Sequence, residues 1–136
     1  MTNEEKFEYW LDRVQYDLDS ADVMYNGGRW TYVVFMCQQT VEKLVKGLHI
    51  YYTGTEAPKL HDINQLLSRF SDKVPIEIDQ EKRDFFAVLT SYYLNNRYAN
   101  YKEKLSAATD KQFAEVQLDK TKEIVQWLMT FAPSKD

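Results

Sequence analysis

The chain has 136 residues, the length of one compact domain, and its 44% apolar and 28% charged residues are an ordinary mixture for a globular protein. Its net charge of −4 argues against binding DNA through bulk positive charge. The single cysteine, Cys37, excludes an internal disulfide. The start of the chain lacks the layout of a signal peptide, and no apolar run reaches membrane-spanning length. We therefore expect a cytoplasmic protein without membrane contact.

The first predicted element is an amphipathic helix that ends at Gly27-Gly28, because glycine accepts the left-handed conformation common at helix C-termini. Its apolar residues recur at spacings of three and four: Phe7, Trp10, Leu11, Val14, Leu18, Ala21 and Met24. The aspartates take the other faces: Asp12, Asp17, Asp19 and Asp22. Because only a short connection follows, the next helix is expected to fold back antiparallel.

The second predicted helix runs from about Trp30 to Tyr52, and the TGTEAP segment ends it with glycine and proline. A second face, beside its apolar stripe, carries Gln38, Gln39, Glu42 and Lys46, and Lys43 follows Glu42. One interpretation is a solvated face on which Glu42 and Lys46 form an ion pair one turn apart. The other is a partly buried polar seam between helices, or a dimer contact.

The rest of the chain predicts one short helix and two long ones. The short helix starts at Asp62, which suits an N-cap, and the fourth helix spans roughly Asp79 to Asn96. A loop then leads to Thr109-Asp110, an N-cap pair for the last helix. The expected fold class is all-α, an up-and-down bundle of four long helices plus one short helix in a single domain, residues 1–136.

Local motifs for metal, cofactor or nucleophilic chemistry are missing from the sequence. The two histidines, His49 and His61, lie on different segments, and there is no HExxH or cysteine pair to hold a metal. No glycine-rich phosphate loop is present, nor a local Ser-His-Asp or Cys-His set. We therefore expect neither a metal nor a cofactor.

Residues 91–105, SYYLNNRYANYKEKL, have two interpretations. In the structural one, Arg97 is favoured by the helix dipole near a helix C-terminus, and tyrosines stack on its guanidinium. In the functional one, Arg97 presents its planar donor fork to a phosphate, tyrosines stack on a base, and lysine adds positive charge. The predicted ligand-binding residues are Arg97, Tyr93, Asn96, Tyr98, Tyr101 and Lys102.

Three motifs follow one another between residues 38 and 100: the Gln-Gln and Glu-Lys pairs within residues 38–43, His61-Asp62-Ile63, and Arg97-Tyr98-Ala99-Asn100. The first helix, with Trp10, Asp17, Leu18 and Ala21, fits the same pattern, so the match covers nearly the whole chain. Their order and spacing resemble the HEPN domain (higher eukaryotes and prokaryotes nucleotide-binding). The resemblance implies an all-α bundle, usually a homodimer, and one of two roles. The first is the helical partner of a small nucleotidyltransferase in a toxin–antitoxin-like pair. The second is a metal-independent RNase toxin that uses an Arg-x4-6-His motif.

The chain departs from the RNase motif, because Lys-Glu-Lys at residues 102–104 stands where the histidine is expected, and Ala-Asn at 99–100 replaces Pro-Asp. Candidates for proton transfer beside Arg97 are then His61 and Tyr101, although His61 also suits a structural role at the start of the third helix. We expect a binding module for a nucleotide, RNA or protein partner near Arg97. The alternatives are an RNase toxin with an atypical site and a ligand-free dimeric interaction protein.

Overall fold

The protein, represented by a computed structural model, is described over residues 1–95 and 99–134, with residues 94, 95 and 99–102 described by their backbone alone. The described part contains six α-helices and no strand: α1 (Asn3–Asn26), α2 (Trp30–Thr53), α3 (Ile63–Ser68), α4 (Gln80–Asn95), α5 (Ala99–Ala108) and α6 (Lys111–Met129). Four of them are long, which confirms the predicted all-α bundle. Among the described helices, none has both the length and the apolar character that crossing a membrane requires.

The first two helices form an antiparallel pair, as predicted from the glycines between them. Gly28 takes a left-handed φ of 72°, and the next N–H, of Arg29, donates to the carbonyl of Met24 at 2.8 Å. At the other end of the pair, the Asn3 amide reaches the carbonyl of Tyr51 at 3.5 Å. The start of α1 therefore lies beside the end of α2.

The core lies around α2, which packs against α1, α3, α4 and α6. The largest fully buried apolar side chains come from all of these helices and from the turn after α3: Phe7, Val14, Leu44, Leu48, Ile63, Leu66, Leu67, Phe70, Phe86, Leu89 and Leu128. Gly47 is a point of close approach between α1 and α2. A Cβ added there would lie 3.0 Å from the Cβ of Trp10 and 3.2 Å from the ring of Phe7.

We expect Gly47→Leu to lower the free energy of unfolding by about 2–3 kcal/mol, because the new side chain overpacks the contact between α1 and α2. Urea denaturation measures the change. The control is Ala107→Leu at an exposed position of α5, where a change within about 0.5 kcal/mol is expected. Equal effects of the two substitutions would contradict the close contact at Gly47.

Asp17, which the helical spacing places outside the apolar stripe of α1, is nevertheless buried. Asp17 is 5% exposed, and its carboxylate accepts a hydrogen bond from the ammonium of Lys43 on α2 at 2.6 Å. Helical spacing assigns a charged residue to the outer face when no partner is known. Here the partner lies 26 positions away, on the neighbouring helix, and neutralises the buried charge.

The prediction of a loop before Thr109 is wrong, because residues 99–108 form helix α5. The segment consists largely of strong helix formers, alanine, lysine, glutamate and leucine, without glycine or proline. After it, the Thr109 hydroxyl donates to the carbonyl of Leu105, and the Asp110 carboxylate accepts the N–H of Phe113 at 2.8 Å. The predicted N-cap of the last helix is thereby confirmed at Asp110.

Candidate ligand-binding site

The polar residues in the middle of α2 form a buried seam. Gln38 is 0% exposed and Glu42 is 4% exposed. The interpretation of these residues as a solvated face is therefore wrong, although the predicted ion pair between Glu42 and Lys46 exists, with 3.0 Å between nitrogen and oxygen. Gln39, next in the chain, donates from its amide to the Gln38 side-chain oxygen at 2.6 Å.

Glu42 is the centre of this seam. Its Oε1 accepts hydrogen bonds from the Gln38 amide at 2.8 Å and from His61 Nδ1 at 3.0 Å. Its Oε2 accepts from Lys46 Nζ at 3.0 Å. A buried carboxylate is costly unless its oxygens are hydrogen-bonded and its charge is paired, and both conditions hold here.

His61 joins the segment before α3 to both α2 and α4. The Gln38 amide donates to the main-chain carbonyl of His61 at 3.1 Å, and the Asp62 carboxylate caps α3 by accepting the N–H of Gln65 at 3.1 Å. Because a carboxylate only accepts, Nδ1 carries the proton that is donated to Glu42. In the neutral ring, Nε2 then accepts the hydroxyl proton of Tyr93 across 3.0 Å.

Three rings stack into a column near the end of α4. The Tyr93 ring lies on the His61 ring, with 4.1 Å between centroids and 29° between planes. Phe35 of α2 is nearly parallel to Tyr93, at 5.9 Å and 9°. Phe35 and Tyr93 are half-buried, and the His61 side chain is 35% exposed. We call Phe35, Tyr93 and His61 the aromatic column.

The structure brings together two of the predicted site residues, Tyr93 and His61. Tyr101 and Lys102 belong to α5, and at these two positions the structure describes the backbone alone. Three further predicted residues, Asn96, Arg97 and Tyr98, lie outside the described residues. Arg97 follows Tyr93 by four positions in the sequence.

Sequence reasoning missed two features of the site, the role of Glu42 as its hub and the contact of Phe35 with Tyr93. A signal for the first was present, because Gln38, Glu42 and Lys46 are spaced by four and so lie in one row on a helix. The connection of this row to His61 joins residues 19 positions apart, and no local pattern predicts it.

Over the part of the chain that the structure describes, no group of three or more His, Cys, Asp or Glu residues is arranged to hold a metal ion. A cleft of about 320 Å³ lies between α4 and α6, where Trp127 and Phe85 form part of the lining. It includes none of the residues of the seam or the aromatic column. The candidate site is therefore a surface beside a buried hydrogen-bond network.

A family model for the HEPN domain matches residues 7–131. The chain therefore belongs to the HEPN family, as its motifs indicated. It is similar in structure to TT1696 from Thermus thermophilus, known from a crystal structure, with a TM-score of 0.77 and 22% sequence identity over 93% of this chain and 98% of that one. That likeness supports the fold. No curated protein matches the chain.

Proposed function

We propose that this HEPN protein is a binding module that holds a nucleotide or an RNA end near Arg97. It works as a homodimer and as the helical partner of a small nucleotidyltransferase-like protein in a toxin–antitoxin-like pair. The observation that carries the binding proposal is the aromatic column. Its residue Tyr93 lies four positions before Arg97 in the sequence.

The chemistry of these residues suits a nucleotide. Bases stack on aromatic rings with little dependence on sequence, and the 35% exposure of the His61 side chain leaves part of the column accessible. An arginine binds a phosphate through two parallel hydrogen bonds. Glu42 and Gln38 hold His61 in place, so the column is pre-organised before a ligand arrives.

Binding without catalysis is favoured by the contacts of His61. Its Nδ1 is hydrogen-bonded to Glu42 and its Nε2 to Tyr93, so both ring nitrogens are engaged within the fold. The residues after Arg97 also lack the histidine of the RNase motif. The imidazole therefore acts as a clamp between α2 and α4.

We expect nucleotides at millimolar concentration to raise the melting temperature of the wild type by several degrees, because a ligand at 100 times its Kd stabilises the folded state by about 2.7 kcal/mol. Arg97→Ala is expected to abolish the shift. Arg69→Ala, which removes an exposed arginine at the end of α3, is the matched control and should keep it. If no nucleotide raises the melting temperature of the wild type, the ligand-binding proposal fails and the protein-partner proposal remains.

The partner proposal has its own test, a native pull-down of the tagged chain from its source cell. Copurification of a protein with a nucleotidyltransferase fold supports the proposal. Recovery of the chain alone, at expression levels that match the native protein, counts against it.

A second candidate function, a metal-independent RNase, is favoured by one observation. Glu42, His61 and Tyr93 form a carboxylate–imidazole–hydroxyl chain, the kind of arrangement that moves a proton in general acid–base catalysis. This candidate predicts cleavage of single-stranded RNA in the presence of EDTA. Cleavage that persists in both His61→Ala and Arg97→Ala would rule out this assignment of the site.

A further inference from the structure

The cleft between α4 and α6 has the size and the apolar lining of a site for a small molecule. Its volume is about 320 Å³, near the lower end of the range for pockets that hold such ligands. Its apolar lining consists of Phe85, Ile124 and Trp127. Phe85 and Ile124 are each 8% exposed, and Trp127 is half-buried. The cleft therefore fits one small ligand with an apolar body.

Four charged residues complete the lining, two of each sign. Each helix contributes one carboxylate and one ammonium: Glu81 and Lys82 from α4, and Glu123 and Lys120 from α6. Each of the four stands three or four positions before an apolar residue of the lining, one turn of helix away. Charges and apolar side chains therefore face the same space from both helices. We call these four residues the charged rim.

Lys82 is held at the wall of the cleft. Its ammonium lies over the Trp127 ring, 4.8 Å from the centroid, and 3.3 Å from a carboxylate oxygen of Asp79. An ammonium over the face of an indole is attracted by the electrons of the ring. Because an ammonium has three N–H donors, these two contacts leave one donor for a ligand. The lysine and the tryptophan thus form a wall that is positioned before a ligand arrives.

The charges of the other three rim residues are available to a ligand. Glu81, Lys120 and Glu123 are exposed, and among the described residues they form no ion pair. Lys120 and Glu123 are three positions apart on α6, a spacing at which opposite charges can pair on a helix. Without such a pair, an ammonium and two carboxylates at the mouth of the cleft have water as their partner.

We propose that this cleft binds a small zwitterion, a free α-amino acid with a large apolar side chain. The side chain packs against the apolar lining. The carboxylate of the ligand binds the two lysines of the charged rim, and its ammonium binds the two glutamates. An α-amino acid carries both charges and its side chain on one carbon, so the charges meet the rim while the side chain enters the cleft.

The balance of charge at the rim is the reason to favour a zwitterion. A ligand with a single negative charge would approach both carboxylates of the rim, and one with a single positive charge would approach both ammonium groups. Like charges at a binding surface suppress association. A neutral apolar molecule would cover the rim and leave its charges unpaired, which is costly. A zwitterion avoids all three penalties.

This inference goes beyond the proposed function and does not depend on it. The lining of the cleft includes no residue of the buried seam or the aromatic column. Arg97→Ala, which should abolish the response to nucleotides, is therefore expected to bind amino acids as the wild type does. Lys120→Gln is expected to lose amino-acid affinity and to keep the nucleotide-induced rise in melting temperature.

A titration with four kinds of small molecule, followed by NMR, tests the class of ligand. L-phenylalanine and L-leucine are expected to bind with a Kd of about 1 mM, as suits ligands of this size. Three analogues each lack one feature: 3-phenylpropionate the ammonium, phenethylamine the carboxylate, and L-alanine the large side chain. Each is expected to bind at least about 10-fold more weakly. Binding of 3-phenylpropionate or phenethylamine as tight as that of L-phenylalanine, or no binding of either amino acid, would overturn the proposal.

The indole N–H signals of the three tryptophans locate the site in the same titration. Trp127 lines the cleft, whereas Trp10 on α1 and Trp30 at the start of α2 lie outside it. L-phenylalanine is therefore expected to shift the Trp127 signal and to leave the other two in place. Shifts confined to Trp10 or Trp30 would place the ligand elsewhere and contradict the assignment.

Removal of the rim carboxylates tests how the ligand is recognised. Glu81→Gln combined with Glu123→Gln is expected to abolish the preference for L-phenylalanine over 3-phenylpropionate, because the ammonium then has no carboxylate to bind. The matched control is Glu77→Gln combined with Glu103→Gln, two exposed glutamates outside the cleft, which should keep the preference. A full preference in the rim variant, or its loss in the control, would overturn the role of the charged rim.

Discussion

Replacement of Glu42 by alanine is expected to lower the free energy of unfolding by about 3–5 kcal/mol, because it leaves the partners of a buried ion pair uncompensated. The ammonium of Lys46, whose side chain is 14% exposed, would lose its carboxylate. His61 and Gln38 would lose their acceptor at the same time. Urea denaturation, monitored by tryptophan fluorescence and circular dichroism, measures the change.

Asp22→Ala is the matched control for Glu42→Ala. It also removes the acid of a lysine–carboxylate pair, with Lys122, at the same 3.0 Å separation, but both side chains are 45% exposed. An exposed pair contributes at most about 1 kcal/mol. Glu42→Leu combined with Lys46→Leu should recover part of the loss, since it removes both charges. Equal losses in Glu42→Ala and Asp22→Ala would contradict the role of Glu42 as a buried hub.

Tyr93→Ala is expected to weaken nucleotide or RNA binding by up to about 100-fold, because it removes the ring against which His61, the accessible ring of the column, is stacked, and stacking of a base contributes about 1–3 kcal/mol. Tyr93→Phe keeps the ring and loses only the hydroxyl that bonds His61 Nε2. For a binding module the phenylalanine variant should retain affinity near that of the wild type. Titration calorimetry measures both variants.

The same pair of variants separates binding from catalysis. In an RNase that moves its proton through Glu42, His61 and Tyr93, loss of the Tyr93 hydroxyl should reduce the cleavage rate and leave substrate affinity unchanged. A melting curve for each variant shows that it is folded at the assay temperature. Wild-type affinity in Tyr93→Ala would exclude the aromatic column as the binding surface.

The architecture could be predicted from the sequence because it depends on local patterns. Apolar spacing located the four long helices, and glycine and aspartate marked where helices end and begin, as Gly28 and Asp110 show. Helix α5 was missed because the asparagine- and tyrosine-rich stretch before it masked the helix formers that follow. The family was accessible as well, since its motifs lie in order along the chain.

The contacts that build the candidate site could not be predicted in the same way, because they join distant parts of the chain. Asp17 pairs with Lys43 across two helices, and Glu42 meets His61 across the loop that follows α2. From the sequence alone, such a polar residue is interpreted as solvent-exposed, because the partner that allows its burial is not known. Tyr93 was selected from the composition of its stretch, and the structure adds its rigid neighbours, Phe35 and His61.

The central claim is that the protein binds a nucleotide or RNA near Arg97 without cutting it. The most direct test incubates one end-labelled single-stranded RNA with the purified protein in EDTA and measures, in the same sample, how much RNA is retained and how much is cleaved. A binding module predicts that the wild type retains intact RNA, that Arg97→Ala does not, and that Arg69→Ala behaves as the wild type. Cleavage that depends on Arg97 would contradict the claim that the protein binds without cutting. Absence of RNA retention at protein concentrations up to millimolar would contradict the claim that it binds this ligand at all.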